Sequence, residues 1–320
     1  MARVRARAYS SSANLGSGFD IVAVALDAFW DEVEVETKDG SGEIVLEEVS
    51  GPYSSHVPHD ESNLVVHTSR LLLERLSLLR DKRMSISIRL WKGVPVSSGL
   101  GSSGSSIVAT IIALSKALDV KLSPEEIIEL AGFAESFAAG EPHYDNVAAS
   151  TLGGIILVLS SKPLPEIRRL EVREDFKYSF ILSIPIIEPI KNKTAFMRKI
   201  LPRVIELSTH VEASARLAAL IYGLTFGDDS ALIKGLDDIV VESVRSKYIP
   251  CLDLVKIRAR KVGALGSVIS GAGPSILTIA PRDRAQDIVR EIRDVYRDCG
   301  FRVQIVNAKP APPARVIFTA

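Results

Sequence analysis

The stretch Gly93–Ser106, GVPVSSGLGSSGSS, runs straight into the apolar segment 107–118, IVATIIALSKAL. Apolar periodicity predicts a helix over 104–118. Glycines let backbone N–H groups turn toward a ligand with no Cβ in the way. The start of a helix adds unpaired N–H groups and the positive end of its dipole. Serine hydroxyls add donors and hard oxygen ligands. The stretch therefore predicts a cradle for a polyanion, held between ordered elements.

The kind of cradle narrows by elimination. Gly99-Leu100-Gly101-Ser102-Ser103-Gly104 matches G-x-G-x-x-G, the dinucleotide fingerprint. A nicotinamide-dependent oxidoreductase would need that motif directly after a strand, but Pro95-Val96-Ser97-Ser98 intervenes. The ribose-binding acid is also misplaced, because Asp119 falls at a helix end. No G-K-[ST] occurs, so there is no Walker lysine, and V-A-I-K, H-R-D and D-F-G are missing. No G-x-S-x-G elbow is present.

Composition bounds the rest. The chain has 320 residues, enough for about two domains. Lys+Arg and Asp+Glu both number 39, so bulk basic charge for nucleic acid is lacking. Two distant cysteines exclude a disulfide framework, and five histidines show no metal-ligand spacing. His56 and His59 read as loop surface. The first residues, MARVRARAYSSS, carry charge but no apolar h-region. No run approaches the roughly 20 apolar residues of a membrane helix, so neither a membrane partner nor a cytoplasmic exit is expected.

Patterning predicts strands over 43–49, 85–90 and 153–161, and helices over 63–80 and 123–139. The second of these opens on Ser123-Pro124-Glu125-Glu126, a capping box. The 63–80 helix offers an apolar face to a homodimer. A loop is expected over 161–174. Beyond it the pattern predicts a strand over 178–187 and helices over 194–201, 204–226, 230–244 and 252–262. Strands at 267–270 and 275–280, a helix at 284–299 and a strand at 301–307 follow. This order matches a ferredoxin-like split βαβ with helices inserted in its first crossover. The expected division is 1–165 and 166–320, both α+β. Segment 315–319 reads as a strand without an assignable partner.

Pro95-Val96-Ser97-Ser98-Gly99-Leu100-Gly101-Ser102-Ser103 resembles the PxxxGLGSS phosphate loop of the GHMP small-molecule kinases. Two more segments of that family appear in order, Ser11-Ser12-Ala13-Asn14-Leu15-Gly16-Ser17-Gly18-Phe19-Asp20 and Ser270-Gly271-Ala272-Gly273-Pro274-Ser275. The first, with His143-Tyr144-Asp145-Asn146, resembles the homoserine kinase family in particular. The resemblance implies a two-domain GHMP kinase fold, with an amino-terminal domain of ribosomal-S5 type, a left-handed crossover and a ferredoxin-like second domain. It also implies ATP and Mg2+ as cofactors and L-homoserine as the small-molecule substrate.

The resemblance places ATP on Asn63, on Pro95–Ser103 and on Gly104 and Ser105. Asn63 also reads simply as an N-cap. Magnesium falls to Ser102 or Ser103 and to Glu135, which stands ten residues before Asp145 on the apolar edge of its helix. An amino-acid alcohol needs acids and amides for its ammonium and an arginine fork for its carboxylate. Asn14, Asp20, His143, Asp145 and Asn146 supply the first set. Thr194, Arg198, Arg245 and Gly271 come from further family segments. Asn146 and Arg198 are expected to orient the reacting hydroxyl, without a dedicated base. The alternatives are a mevalonate or shikimate kinase, a nicotinamide oxidoreductase and a ligand-binding regulator without turnover.

Overall fold

A computed structural model describes residues 2–78, 84–139, 142–172, 176–188 and 193–320. The first half contains β1 (Ala2–Asn14), β2 (Gly18–Asp39), β3 (Ile44–Ser50), α1 (Leu64–Arg75), β4 (Met84–Trp91), α2 (Ser102–Ala117), α3 (Pro124–Ala139), α4 (Asp145–Leu152), β5 (Ile155–Ser160) and β6 (Glu166–Arg169). The second contains β7 (Tyr178–Pro185), α5 (Lys193–Lys199), α6 (Leu207–Phe226), α7 (Asp229–Gly235), α8 (Glu242–Arg245), α9 (Leu252–Lys261), β8 (Gly266–Ile269), β9 (Ile276–Pro281), α10 (Ala285–Asp298), β10 (Val303–Ala308) and β11 (Arg315–Thr319).

The first sheet has the order β11-β1-β2-β4-β3, with β5 on β2 and β6 on β5. β1 and β2 form a long antiparallel hairpin, and both strands alternate in sequence. Val4, Ala6 and Ala8 face inward; Arg3, Arg5 and Arg7 face outward and pair with Glu34 and Glu32 opposite. Such cross-strand ion pairs fix register. Burial would lift Glu34, but hydrogen bonds from Arg3, Arg5 and Arg89 override it and hold it down at about 2. β3 and β4 pair in parallel, joined through α1. Inward residues of β1, β2 and β4 share one core with α1–α4.

The second sheet has the order β10-β7-β9-β8, all antiparallel. In chain order that is 4-1-3-2, the arrangement expected of a ferredoxin-like unit. β7 is buried on both faces: Phe180 and Leu182 meet β2 and α6, while Ile181 meets α9 and α10. The sheet is thus sandwiched between the first sheet and its own helices.

Several expectations change. β1, β2, β6 and α4 were not foreseen, and β6 lies within the expected loop 161–174, of which 173–174 fall outside the described residues. β11 finds its partner in β1. The first sheet therefore takes strands from both sides of residue 165. The expected helix 230–244 is broken into α7 and α8. The Asp238 carboxylate accepts hydrogen bonds from the backbone N–H groups of Val240, Val241 and Glu242 at 2.8–3.0 Å, offering them an alternative to helix bonds. The expected dimer face of α1 is core, with Val65, Val66, Leu72 and Leu73 buried; 79–80 lie outside the described residues. The capping box forms in both directions, Ser123 N to Glu126 Oε2 at 2.7 Å and Glu126 N to Ser123 Oγ at 3.2 Å. No helix among the described residues is long and apolar enough to cross a membrane.

Candidate active site

The three sequence motifs meet where the two sheets adjoin. Gly271 N donates to Ala13 O at 3.1 Å and Ser275 N to Ser98 O at 3.2 Å. The Ser270 hydroxyl donates to Gly99 O at 2.8 Å and shares a second hydrogen bond, also 2.8 Å, with the Ser12 hydroxyl. Main-chain contact this close leaves no room for side chains. Gly99 sits at φ +82°, and a Cβ there would lie 2.2 Å from Ser270 O. Gly101, at φ +64°, would place one 2.1 Å from Ser11 Oγ. Gly99→Ala is accordingly expected to cost ~1–3 kcal/mol in backbone strain alone. Thermal melting checks this; an unchanged melting point would refute it.

Around this junction lies a cavity of about 360 Å³. It gathers Asn14, Asp20, Asn63, Val96–Ser103, Glu135, His143, Asp145, Asn146, Thr194, Arg198, Arg245 and Gly271 along its wall. Three expected residues do not line it: Pro95, Gly104 and Ser105. Gly104 faces Val147 of α4, with which it packs. The Ser105 hydroxyl turns into the core and donates to Asp31 Oδ2 at 2.6 Å. α2 begins two residues before the expected helix, so Ser102 and Ser103 sit on its first turn.

At the loop end of the cavity, Glu135 is only 8 % exposed. Its Oε1 accepts from the Ser103 hydroxyl at 2.8 Å, and its Oε2 is buried with no hydrogen-bond partner. Burial pushes its carboxyl up to about 7, the Ser103 bond opposing and Asp145 adding. Ser102 Oγ instead donates to Val94 O at 3.2 Å. Among the described residues no three His, Cys, Asp or Glu side chains cluster for a metal. Asn63 caps α1, its Oδ1 accepting from Val65 N at 3.1 Å while its Nδ2 donates to Pro58 O at 2.5 Å, and it still faces the cavity.

At the other end, Arg198 and Asp20 form an ion pair at 2.9 Å, and Arg198 and Arg245 both lie over the Phe19 ring. Arg245 is fixed by Met197 O at 3.1 Å and Gly271 O at 3.4 Å; burial pulls it down to about 10. Asn14 bridges the motifs, donating to Gly271 O at 2.9 Å and accepting from Asp20 N at 3.2 Å. Asp145 is buried at the start of α4, and burial, then the nearby Asp20 charge, lift it to about 6. Asn146 is tightly held: Ser11 Oγ donates to its Oδ1 at 2.8 Å, and its backbone N and Nδ2 donate to Asp145 Oδ1.

Sequence reasoning missed two buried lysines and an aspartate. Lys193, at the start of α5, donates to Ser97 O at 2.6 Å and to Gly273 O. It clamps the phosphate-loop candidate onto the 270–275 turn, and burial with the nearby Arg245 charge lowers it to about 7. Lys92 pairs with Asp31 and donates to Ser102 O at 2.7 Å and Ser106 Oγ at 2.9 Å. Asp31 also accepts from Gly93 N and Val94 N. Lys193 opens a helix, Lys92 follows β4 and Asp31 lies in the unforeseen β2, so no local pattern marked any of them as buried. The dinucleotide reading falls on topology: the strand before the loop, β4, pairs antiparallel with β2, and no doubly wound parallel sheet exists among the described residues.

Known proteins resemble the chain along nearly its whole length. Residues 63–154 match the family model "GHMP kinases N terminal domain", and 220–298 match "GHMP kinases C terminal". A homoserine kinase of Aeropyrum pernix is 38 % identical over 98 % of both chains. One from Pyrobaculum aerophilum is 35 % identical over 93 % of this chain and 95 % of its own. A solved structure of homoserine kinase from Cytophaga hutchinsonii superposes with a TM-score of 0.88 at 31 % identity, covering 98 % of this chain and 97 % of its own.

Proposed function

The chain belongs to the homoserine kinases of the GHMP kinase family, and we propose that it transfers the γ-phosphoryl group of ATP to the side-chain hydroxyl of L-homoserine, giving O-phospho-L-homoserine. The observation that carries the substrate is the pairing of acids and arginines in one cavity. Buried Asp145 is lifted by burial and by the Asp20 charge, so a primary ammonium beside it relieves that penalty. Arg245, held by backbone carbonyls, supplies a fixed fork for the substrate carboxylate. Mevalonate and shikimate carry no ammonium to set against buried Asp145.

Phosphoryl transfer requires positioning and charge stabilisation more than covalent chemistry. Backbone N–H groups of Gly99–Ser103 and the first turn of α2 receive the triphosphate. Asn63 faces the base at the far end. Mg2+ fits beside the unpartnered Glu135 Oε2 and the Ser103 hydroxyl; when bound it neutralises charge on the phosphate oxygens. Asn146, locked by Ser11 and Asp145, and Arg198, released from Asp20 by the incoming ammonium, orient the acceptor hydroxyl. Asp145 and Lys193, both titrating near neutrality, stand at the cavity wall, but the reading assigns neither as a base.

The test is magnesium-dependent ADP release with L-homoserine, mevalonate, shikimate or no acceptor. The expected result is turnover with homoserine alone, kcat/KM for the others being lower by ~10³-fold or more, since unpaired buried polar groups discriminate strongly. Equal release with mevalonate would overturn the substrate, and release with none of them would favour a non-catalytic binder.

A further inference from the structure

Lys193 is a buried cation without a counter-ion. It is 5 % exposed and opens α5. Its ammonium donates to Ser97 O at 2.6 Å and to Gly273 O, and among the described residues no carboxylate pairs with it. Lys92, also buried, has Asp31 for that purpose. Burying an ammonium is costly unless an opposite charge answers it. An ammonium carries three donors, so one N–H of Lys193 is left without an acceptor among the described residues. The side chain lines the cavity together with Ser97, Ser98, Gly99 and Ala272. Gly273 O, which accepts from it, lies 2.8 Å from the place a Cβ on Gly99 would take, so the ammonium flanks the middle of the glycine loop. α5 then runs on to Thr194, on the same cavity wall, and to Arg198, paired with Asp20. Lys193 therefore stands where the glycine loop faces the acceptor end of the cavity.

We propose that the Lys193 ammonium donates its third hydrogen to the terminal phosphate of ATP, as a charged side chain on the acceptor side of the glycine loop. This deepens the kinase reading above and rests on it. The backbone N–H groups of the loop and the first turn of α2 offer only partial positive charge. Lysine brings a whole charge to the group being transferred, whose oxygens need it during phosphoryl transfer. The two carbonyls hold the ammonium in place before nucleotide arrives, so little side-chain freedom is lost on binding. The phosphate in turn supplies the missing counter-charge. Burial, then the nearby Arg245 charge, lower Lys193 to about 7 in the ligand-free protein, and an anion beside it favours the charged form. ADP ends one phosphate short and leaves the ammonium unanswered.

The experiment measures, by calorimetry on the full chain without acceptor, the binding of ADP and of a non-hydrolysable ATP analogue, each with magnesium. Lys193→Met removes the charge and every donor. Lys193→Gln removes the charge but keeps N–H donors for the two carbonyls, and it decides the matter if the methionine variant does not fold. In both variants the analogue is expected to bind ~10–100-fold more weakly, as loss of one charge-assisted hydrogen bond implies, while ADP affinity stays within about twofold. Turnover is expected to fall by ~10²–10³-fold. Equal weakening of ADP and analogue would show a lysine that only clamps the loop and would overturn the proposal, as would unchanged binding of both. With no acceptor present, a wrong acceptor leaves the result untouched, whereas a parent that bound neither nucleotide would overturn the kinase reading and this contact together.

Discussion

Glu135→Gln is expected to lower kcat by ~10²–10⁴-fold while leaving the ligand-free protein as stable as before, or more so above neutral pH. The two effects share one cause. Glu135 is buried with Oε2 unpartnered, an arrangement that burial alone penalises. Its carboxyl is lifted from 4.5 to about 7, so the folded state binds more protons than the unfolded state across that window. A raised acid contributes stability that is full below about 4.5 and lost as pH rises through 7, on the order of 3 kcal/mol. Asp145, lifted from 3.8 to about 6, adds a slope of the same sign at slightly lower pH. The glutamine variant keeps the volume and the Ser103 hydrogen bond, cannot ionise, and loses only the Glu135 share of the slope. Thermal melts from pH 4 to 8 read this directly. Turnover within tenfold of the parent, or a melting midpoint several degrees lower at pH 8, would refute the assignment of a carboxylate kept for charge and not for stability.

The legible parts of the molecule were those in which a local pattern coincides with a global role. Ser123–Glu126 announces a helix start, and the cap forms as read. Gly99 and Gly101 announce close backbone approach, and the backbone and Ser11 do approach them. The long first hairpin was missed although its signal is plain: Val4-Arg5-Ala6-Arg7-Ala8 alternates, as does Glu32-Val33-Glu34-Val35-Glu36. Arginines at every second position read as a charged terminus until the opposing glutamates are seen to be their partners. Strand β6 could not be read because its four residues, EIRR, are defined by pairing with β5 and not by their own pattern. The 230–244 break was hidden for a related reason. Asp238 looks like an exposed helical residue until its carboxylate is seen to accept three backbone N–H groups. Most expected site residues do line the cavity, because glycine-rich turns and their spacing are local. Lys193 and the Lys92–Asp31 pair were illegible, since a buried charge betrays itself only through partners distant in sequence.

That pair carries the largest expected loss of stability. Asp31 is fully buried and Lys92 is 2 % exposed. Asp31→Ala strands the Lys92 ammonium, whose ionisation burial already disfavours, and strips acceptors from Gly93 N, Val94 N and the Ser105 and Ser106 hydroxyls. Removing one partner of a buried pair costs about 3–5 kcal/mol. For a chain of this size that lowers the melting midpoint by roughly 6–10 °C. Lys92→Met is expected to cost less, because Asp31 keeps its four other donors and the methionine fills the lysine's volume. In the double variant most of the Asp31→Ala penalty on the ammonium disappears, so the cycle shows strong coupling. Activity follows the same hub. Asp31 fixes the entry to the glycine loop through Gly93 and Val94, and Lys92 holds Ser102 O at the first turn of α2. The aspartate variant should therefore also raise the KM for ATP at temperatures where it remains folded. Denaturant melts of the two single variants and the double, with ATP titrations on each, decide the matter. A smaller penalty for Asp31→Ala than for Lys92→Met would mean that the carboxylate, not the ammonium, is the group that the fold struggles to bury.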